Sequence, residues 1–384
     1  MPVLFQWINA TRTLSAFSLV LLLLLIPGWA GCSQPVLDVA GPDIDTPTAV
    51  AAKGGAEAMV PLIDMGTGTY FGFEGGLYPS NQMPRSHLRE GLRRMTRVRP
   101  LDGKGRSAQD GKIVMVSIGM SNTMQVFCGR NTGTCVPWSF VGKAEADPAV
   151  DKKSLVLVNG ARSGQTADAW VSPQSETYGL ILDRQLTPRG LTEQQVQVAW
   201  VLLANRRPTV GLPNQAADAF RLEEQLGDVV RALKVRYPNL QQVFLSSRIY
   251  GGYAVDGLNP EPYAYESGFS VKWLIEAQIR QMNGGLPDPR AGNLNYRTVA
   301  PWIAWGPYTW ADGLNPRSDG LTWQPADFER DGTHPSRNGE EKAGALLMDF
   351  FKNDSMTRCW FLGLSTCSPR PSLSLRDISP RGRA

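Results

Sequence analysis

Ile113-Val114-Met115-Val116-Ser117-Ile118-Gly119-Met120-Ser121-Asn122-Thr123 is the stretch that decides the fold. Its first six residues form an apolar run between Gly111 and Gly119. A short apolar run bounded by glycines reads as a buried strand. The same pattern returns at Leu155–Val158, which ends in Asn159-Gly160, at Val196–Ala204 around Trp200, at Val243–Leu245 and at Trp302–Trp305. Between these runs the spacing changes. Over Ala216–Tyr237 the apolar residues Phe220, Leu222, Leu226, Val229, Val230 and Leu233 recur at helical intervals. Further helices are expected over Phe269–Met282 and Glu340–Phe351. Buried strands alternating with helices predict a three-layer α/β/α domain, with a five-stranded parallel sheet covered on both faces.

In open parallel sheets, ligands bind beyond the carboxyl ends of the strands. Polar candidates stand at those places here. Ser121 follows the first strand, after the tight turn that Gly119 permits. Gly164 lies in Asn159-Gly160-Ala161-Arg162-Ser163-Gly164-Gln165-Thr166, just past the second strand, where its backbone N–H can face a ligand. Asn205 ends the third strand, and its amide can donate a second hydrogen bond.

Asp331-Gly332-Thr333-His334-Pro335-Ser336 completes the pattern just before the last helix. The chain has only two histidines, His87 and His334, and His334 follows a carboxylate by three positions. An imidazole can take and return a proton near neutral pH. A carboxylate on its other nitrogen fixes the tautomer and stabilises the charged ring. Such a spacing is common by chance, and so is a turn serine. The weight lies in the order of the residues along alternating strands and helices. A hydroxyl, a base, an orienting carboxylate and N–H donors are what acyl transfer needs. His87, after Pro84-Arg85-Ser86, is expected to be a structural or surface histidine.

These blocks resemble the SGNH hydrolases, also called the GDSL esterase and lipase superfamily, over roughly residues 112–353. The resemblance implies a flavodoxin-like arrangement of the five-stranded sheet. It implies Ser121 as nucleophile and Asp331 and His334 as its triad partners. It implies an oxyanion hole built from Ser121, Gly164 and Asn205. Two blocks depart from the family pattern: Met120 replaces an aspartate, and Leu203-Ala204-Asn205-Arg206 replaces G-x-N-D. The activity implied is that of a serine esterase acting on an acyl ester, with O-acetyl groups on a carbohydrate or envelope glycan as one candidate substrate. The other function class is a non-catalytic carbohydrate- or envelope-binding module on a hydrolase fold. No cofactor and no metal are expected.

The chain has 384 residues, 42% of them hydrophobic, which suits a large globular domain. Its N-terminus carries the apolar run Leu14–Ile26 after Arg12, short for a membrane span and typical of an export signal. Residues 1–32 are assigned to that signal. Trp29-Ala30-Gly31-Cys32 is similar to a bacterial lipoprotein box, so lipidation at Cys32, cleavage near Ala30 and an uncleaved anchor all stay open. The expectation is a secreted, periplasmic or envelope-anchored bacterial protein, tethered to the membrane, if at all, through its N-terminus. Residues 33–65 read as a linker, 66–353 as the domain, and 354–384 as a tail holding a small disulfide loop.

Apart from Cys32, the cysteines fall into two close pairs, and proximity favours Cys128–Cys135 and Cys359–Cys367. The net charge is +4, and residues 85–106 hold eight Lys or Arg against Glu90 and Asp102. No aromatic residue interleaves with them, so a solvated basic face is expected and nucleic acid is not an expected partner. Composition says nothing of oligomeric state. Trp302, Trp305, Tyr308, Trp310 and Trp323, with Tyr250, Tyr253, Tyr263 and Tyr265, would either fill a core or form a flat shelf for a sugar ring.

Overall fold

Five parallel strands form the central sheet: β3 (Ile113–Gly119), β4 (Leu155–Asn159), β5 (Val196–Leu202), β6 (Gln242–Ser246) and β7 (Trp302–Trp305). A small antiparallel hairpin precedes them, β1 (Thr69–Tyr70) with β2 (Phe73–Glu74). The computed structural model describes residues 58–130 and 134–364. The expected signal segment, Cys32, most of the expected linker and Cys367 lie outside the described residues.

The order across the sheet is β4-β3-β5-β6-β7. Chain order therefore reverses at β3, the arrangement of flavodoxin-like sheets, whose crevice opens between the first and third strands. Every residue of β3 and β5 is buried. Successive side chains on a strand face opposite ways, and both faces are covered by apolar cores. On one face, Val114, Val116, Ile118, Val201, Val243 and Leu245 pack with Leu226, Val230, Leu274 and Ile275. The last four belong to the helices Asp218–Arg236 and Tyr263–Met282. On the other face, Met115, Val198, Trp200, Phe244 and Trp302 pack with Phe127, Phe140, Leu347 and Phe351. Those come from the helices Ser121–Cys128, Phe140–Ala146 and Arg337–Asn353. This is the three-layer α/β/α domain.

The boundaries differ from the expectation in four places. The helix expected over Phe269–Met282 begins at Tyr263, directly after Pro262. Its first turns carry tyrosines, a glutamate and a glycine rather than an apolar stripe, so periodicity alone missed them. The linker expected to reach residue 65 ends earlier. Leu62 is fully buried and its N–H donates to the Tyr308 hydroxyl at 3.3 Å. The tail expected from 354 begins inside the core, since Met356, Trp360 and Phe361 are buried. The basic stretch is also more than a solvated face. Arg85–Met95 is a helix, and Arg94 is buried, donating to Glu90 and to the Tyr296 carbonyl. Arg85, Arg89, Arg93, Arg97 and Arg99 remain exposed.

Cys128 and Cys135 form a disulfide. Cys359 is also disulfide-bonded, and Cys367, its expected partner, lies outside the described residues. Among the described residues no helix is long and apolar enough to cross a membrane. No group of three His, Cys, Asp or Glu able to hold a metal occurs among them either. The aromatic side chains named above divide between core and rim. Trp302, Trp310, Trp323 and Tyr265 are fully buried, and Trp305 and Tyr308 nearly so.

His87 is buried against Trp302, ring centroids 4.9 Å apart, with Nε2 2.9 Å from the Ile303 carbonyl. A carbonyl can only accept, so that nitrogen carries the proton. Burial pulls the imidazole from 6.5 down to about 4, against the pull of the Ile303 carbonyl and the Glu90 charge. Between those values the unfolded chain binds a proton that the folded chain refuses. Stability therefore falls as pH drops through this window. The full loss is about 3 kcal/mol. We expect His87→Gln, which keeps a donor but does not titrate, to gain on the wild type by roughly that amount between pH 6.5 and 4. Guanidinium unfolding of both proteins across the window checks this, because other groups cancel in the difference. Parallel curves would show that His87 is protonated in the folded state.

Candidate active site

β3 delivers Ser121 to the carboxyl edge of the sheet through a turn that tolerates only glycine at 119. A Cβ there would sit 2.1 Å from Thr123 Oγ1 and 2.3 Å from the Leu202 carbonyl oxygen. The close approach lets Thr123 Oγ1 donate to that carbonyl at 2.6 Å, tying the new helix to the end of β5. Ser121 is the first residue of the helix. Backbone N–H groups in a first turn have no intrahelical acceptor and face whatever lies in front of the helix.

The Asp331–Ser336 loop arrives from the other end of the chain. Asn122 Nδ2 donates to the Thr333 carbonyl at 2.9 Å and locks the loop against the serine turn. Ser336 caps the helix Arg337–Asn353 by accepting from the Gly339 N–H. Ser121 Oγ then lies 2.8 Å from His334 Nε2, and His334 Nδ1 lies 2.6 Å from Asp331 Oδ2. The carboxylate assigns the ring proton to Nδ1, which leaves Nε2 as an acceptor for the Ser121 hydroxyl.

Asp331 is set for this contact by its own backbone. Its Oδ1 accepts from the N–H groups of Thr333 and His334, both at 2.9 Å. Burial raises the Asp331 carboxyl, but bonds from the His334 N–H, the His334 ring and the Thr333 N–H outweigh it and hold it below its ordinary range. It stays ionised beside the ring.

Two other loops reach the same edge. The Arg162 N–H donates to the Gly119 carbonyl at 3.0 Å, and the Ala167 N–H to the Ala204 carbonyl at 3.0 Å. These bonds strap the Gly164 loop across the ends of β3 and β5. Asn205 is nearly buried, and its Nδ2 donates to the Asp218 carbonyl at 2.6 Å. One amide hydrogen is committed there, and the other has no acceptor among the described residues. Asn205 Oδ1 is buried with no partner among the described residues. Reversing the amide would set two oxygens against each other at that distance, so the orientation stands.

Ser121, His334, Gly164 and Asn205 line one cavity of about 430 Å³. Ser163, Thr166, Asn259 and Arg206, Arg207 and Arg248 share its wall. Among the described residues Met120 and Leu258 are its only long apolar side chains, and no Phe, Tyr or Trp ring lines it. The aromatic shelf is therefore absent from this cavity, because the rings that could have built it pack beneath the loops. The residue that motif spacing did not single out is Arg248, just past β6. Its signal was a cation immediately after a buried strand.

Gly332 sits at φ +63°, and a Cβ there would fall 1.7 Å from the Tyr253 carbonyl oxygen. Gly332→Ala should therefore lower stability by about 1–3 kcal/mol and displace the His334 loop. Thermal unfolding and the pH response of the His334 ring resonances report the two effects. An unchanged melting temperature would refute it.

No family model and no curated protein sequence matches the chain. Solved structures similar to it include an extracellular lipase from Streptomyces rimosus, at 18% identity and a TM-score of 0.30, covering 62% of this chain and 99% of that one. A family two carbohydrate esterase from Clostridium thermocellum, solved with cellohexaose, has 12% identity and a TM-score of 0.35, covering 64% and 66%. A psychrotrophic esterase from Pseudoalteromonas has 11% identity and a TM-score of 0.33, covering 63% and 97%. Likeness at this level carries no argument beyond the topology already described.

Proposed function

We propose that this chain is a serine ester hydrolase of the SGNH type, with Ser121, His334 and Asp331 acting as one unit. The observation that carries the reading is the continuous relay of 2.8 Å and 2.6 Å contacts from Ser121 Oγ through both ring nitrogens to Asp331. Ser121 Oγ attacks the ester carbonyl, and His334 Nε2 takes its proton. The ring, charged for that moment, is stabilised by Asp331 and returns the proton to the leaving alkoxide. Water then enters, gives a proton to the same nitrogen and attacks the acyl-enzyme. The acid leaves and Ser121 recovers its hydrogen. The N–H groups of Ser121 and Gly164 and the free amide hydrogen of Asn205 serve the developing oxyanion.

The cavity wall supports a short acyl group on a polar alcohol. Hydroxyl, amide and guanidinium groups outnumber apolar ones there, and nothing offers a long aliphatic groove. An O-acetylated carbohydrate or envelope glycan fits that description. The leader-like Leu14–Ile26 run and the paired cysteines support export to an oxidising compartment, where such glycans lie.

Because the three residues work together, Ser121→Ala and His334→Ala should each cut kcat on 4-nitrophenyl acetate by roughly 10⁴-fold or more. The double variant should be little worse than either, and Asp331→Ala should lose less. Asn205→Ala should lower kcat ~10²–10³-fold. A fluorophosphonate probe should label Ser121 in the wild type, located by peptide mass spectrometry. Additive losses, or a probe attached elsewhere, would overturn the reading. A folded protein that takes no probe and turns over no ester would be a binding module instead.

A further inference from the structure

Arg248 is only 1% exposed, yet it lines the cavity that holds Ser121 and His334. Its Nε is buried with no partner, and no hydrogen bond or ion pair joins its guanidinium to any described residue. A buried guanidinium without partners is costly, because desolvation removes water that nothing replaces. The negative charges that act on it most strongly are those of Glu261 and Asp331. Both are engaged by other donors. Glu261 accepts from the Gly251 N–H, the Tyr265 N–H and Trp310 Nε1. Asp331 is taken by His334 and Thr333. Burial pulls the Arg248 guanidinium down to about 10, against those two negative charges. It therefore remains a cation at neutral pH.

No Asp or Glu is among the described residues lining this cavity, while exposed Arg206 and Arg207 stand on its wall. Arg207 is held at φ +48°, a conformation rare outside glycine. The neighbouring cleft, which shares Ser163, is lined by Arg162, Arg184 and Arg189 and again by no carboxylate among the described residues. The cationic surface thus continues outward from the nucleophile.

We infer that Arg248 is the anion-recognition residue of this site, and that the ester it takes carries a carboxylate or phosphate close to the scissile bond. The inference rests on the hydrolase reading. A planar guanidinium matches either oxyanion through two parallel N–H donors. Withheld from water and from other partners, it supplies the strongest polar contact the cavity has. A substrate anion would replace the lost hydration, whereas a neutral ester would leave the cation bare.

Two pairs of probe esters test this and locate the anion. 4-Acetoxybenzoate against 4-acetoxybenzamide places the charge on the alcohol side. The 4-nitrophenyl hemiester of glutaric acid against 4-nitrophenyl pentanoate places it on the acyl side. In one pair, the wild type should favour the anionic member in kcat/KM by roughly ten- to a hundredfold. In Arg248→Gln that ratio should collapse, and in Arg248→Lys it should be partly kept. Which pair responds tells which side of the ester is read. No preference in either pair would overturn the inference. So would an equal fall of both members in Arg248→Gln, which would make the arginine a structural counter-charge to Glu261. Calorimetry of 4-hydroxybenzoate and glutarate on the wild type separates this from the hydrolase reading. Binding that Arg248→Gln abolishes supports the anion site even if no ester is cleaved, and no binding of either carboxylate counts against it. If the Arg248→Gln protein does not fold, the wild-type preference and the Arg248→Lys ratio still decide.

Discussion

The pairing of β3 between β4 and β5 is the constraint on which the rest depends. Gly119 lies opposite Leu202 in that ladder, so the two strands end together. The serine turn and the Asn205 segment must then share one edge. The absent Cβ at 119 lets Thr123 reach the Leu202 carbonyl and draws the helix Ser121–Cys128 down onto β5. Side-chain bulk at this point would lift the helix and with it Ser121. The Gly164 loop hangs from the same two strand ends by two backbone bonds. Three segments far apart in the chain thus meet because one pair of strands ends in register and one residue lacks a side chain.

Electrostatics then divides the site into satisfied and unsatisfied charges. Asp331 has its oxygens filled by two backbone N–H groups and a ring nitrogen, so its negative charge is secured and directed at His334. The Glu261 carboxyl is raised by desolvation against the pull of its bonds from Gly251, Trp310 and Tyr265. Arg248 lies within reach of the fields of both and in hydrogen-bond contact with neither. A guanidinium buried at the wall of the cavity that holds Ser121 and His334, with its Nε unpartnered among the described residues, is available to a ligand there.

Much of this was legible in the residues. Ile113–Ile118, Leu155–Val158, Val196–Ala204, Val243–Leu245 and Trp302–Trp305 announce themselves because strands of a sheet covered on both faces are mostly apolar. All five are in the sheet, with ends shifted by a residue or two. Helices with a clear stripe, such as Asp218–Arg236, were equally plain. Tyr263–Gly268 was not, because its helical turns pack with tyrosines and a glycine against Leu62 and Tyr308, and such contacts leave no periodic signal. Arg94 looked like one of many surface cations. Its burial depends on a carbonyl of Tyr296, some two hundred residues away in sequence.

By itself the sequence determined the layer architecture, the strand positions and the set of polar residues at strand ends, since burial period and glycine placement are local properties of the chain. Tertiary structure alone decided which of those polar residues meet. Hydrogen-bond reach is a matter of ångströms, and Ser121 and His334 are separated by 213 positions. It also decided that the aromatic segments pack as core rather than as a shelf, and that a lone arginine after β6 became the buried cation of the cavity. Those outcomes turn on which neighbours desolvate a side chain and which of them can bond to it, and neither is written in the spacing of residues along the chain.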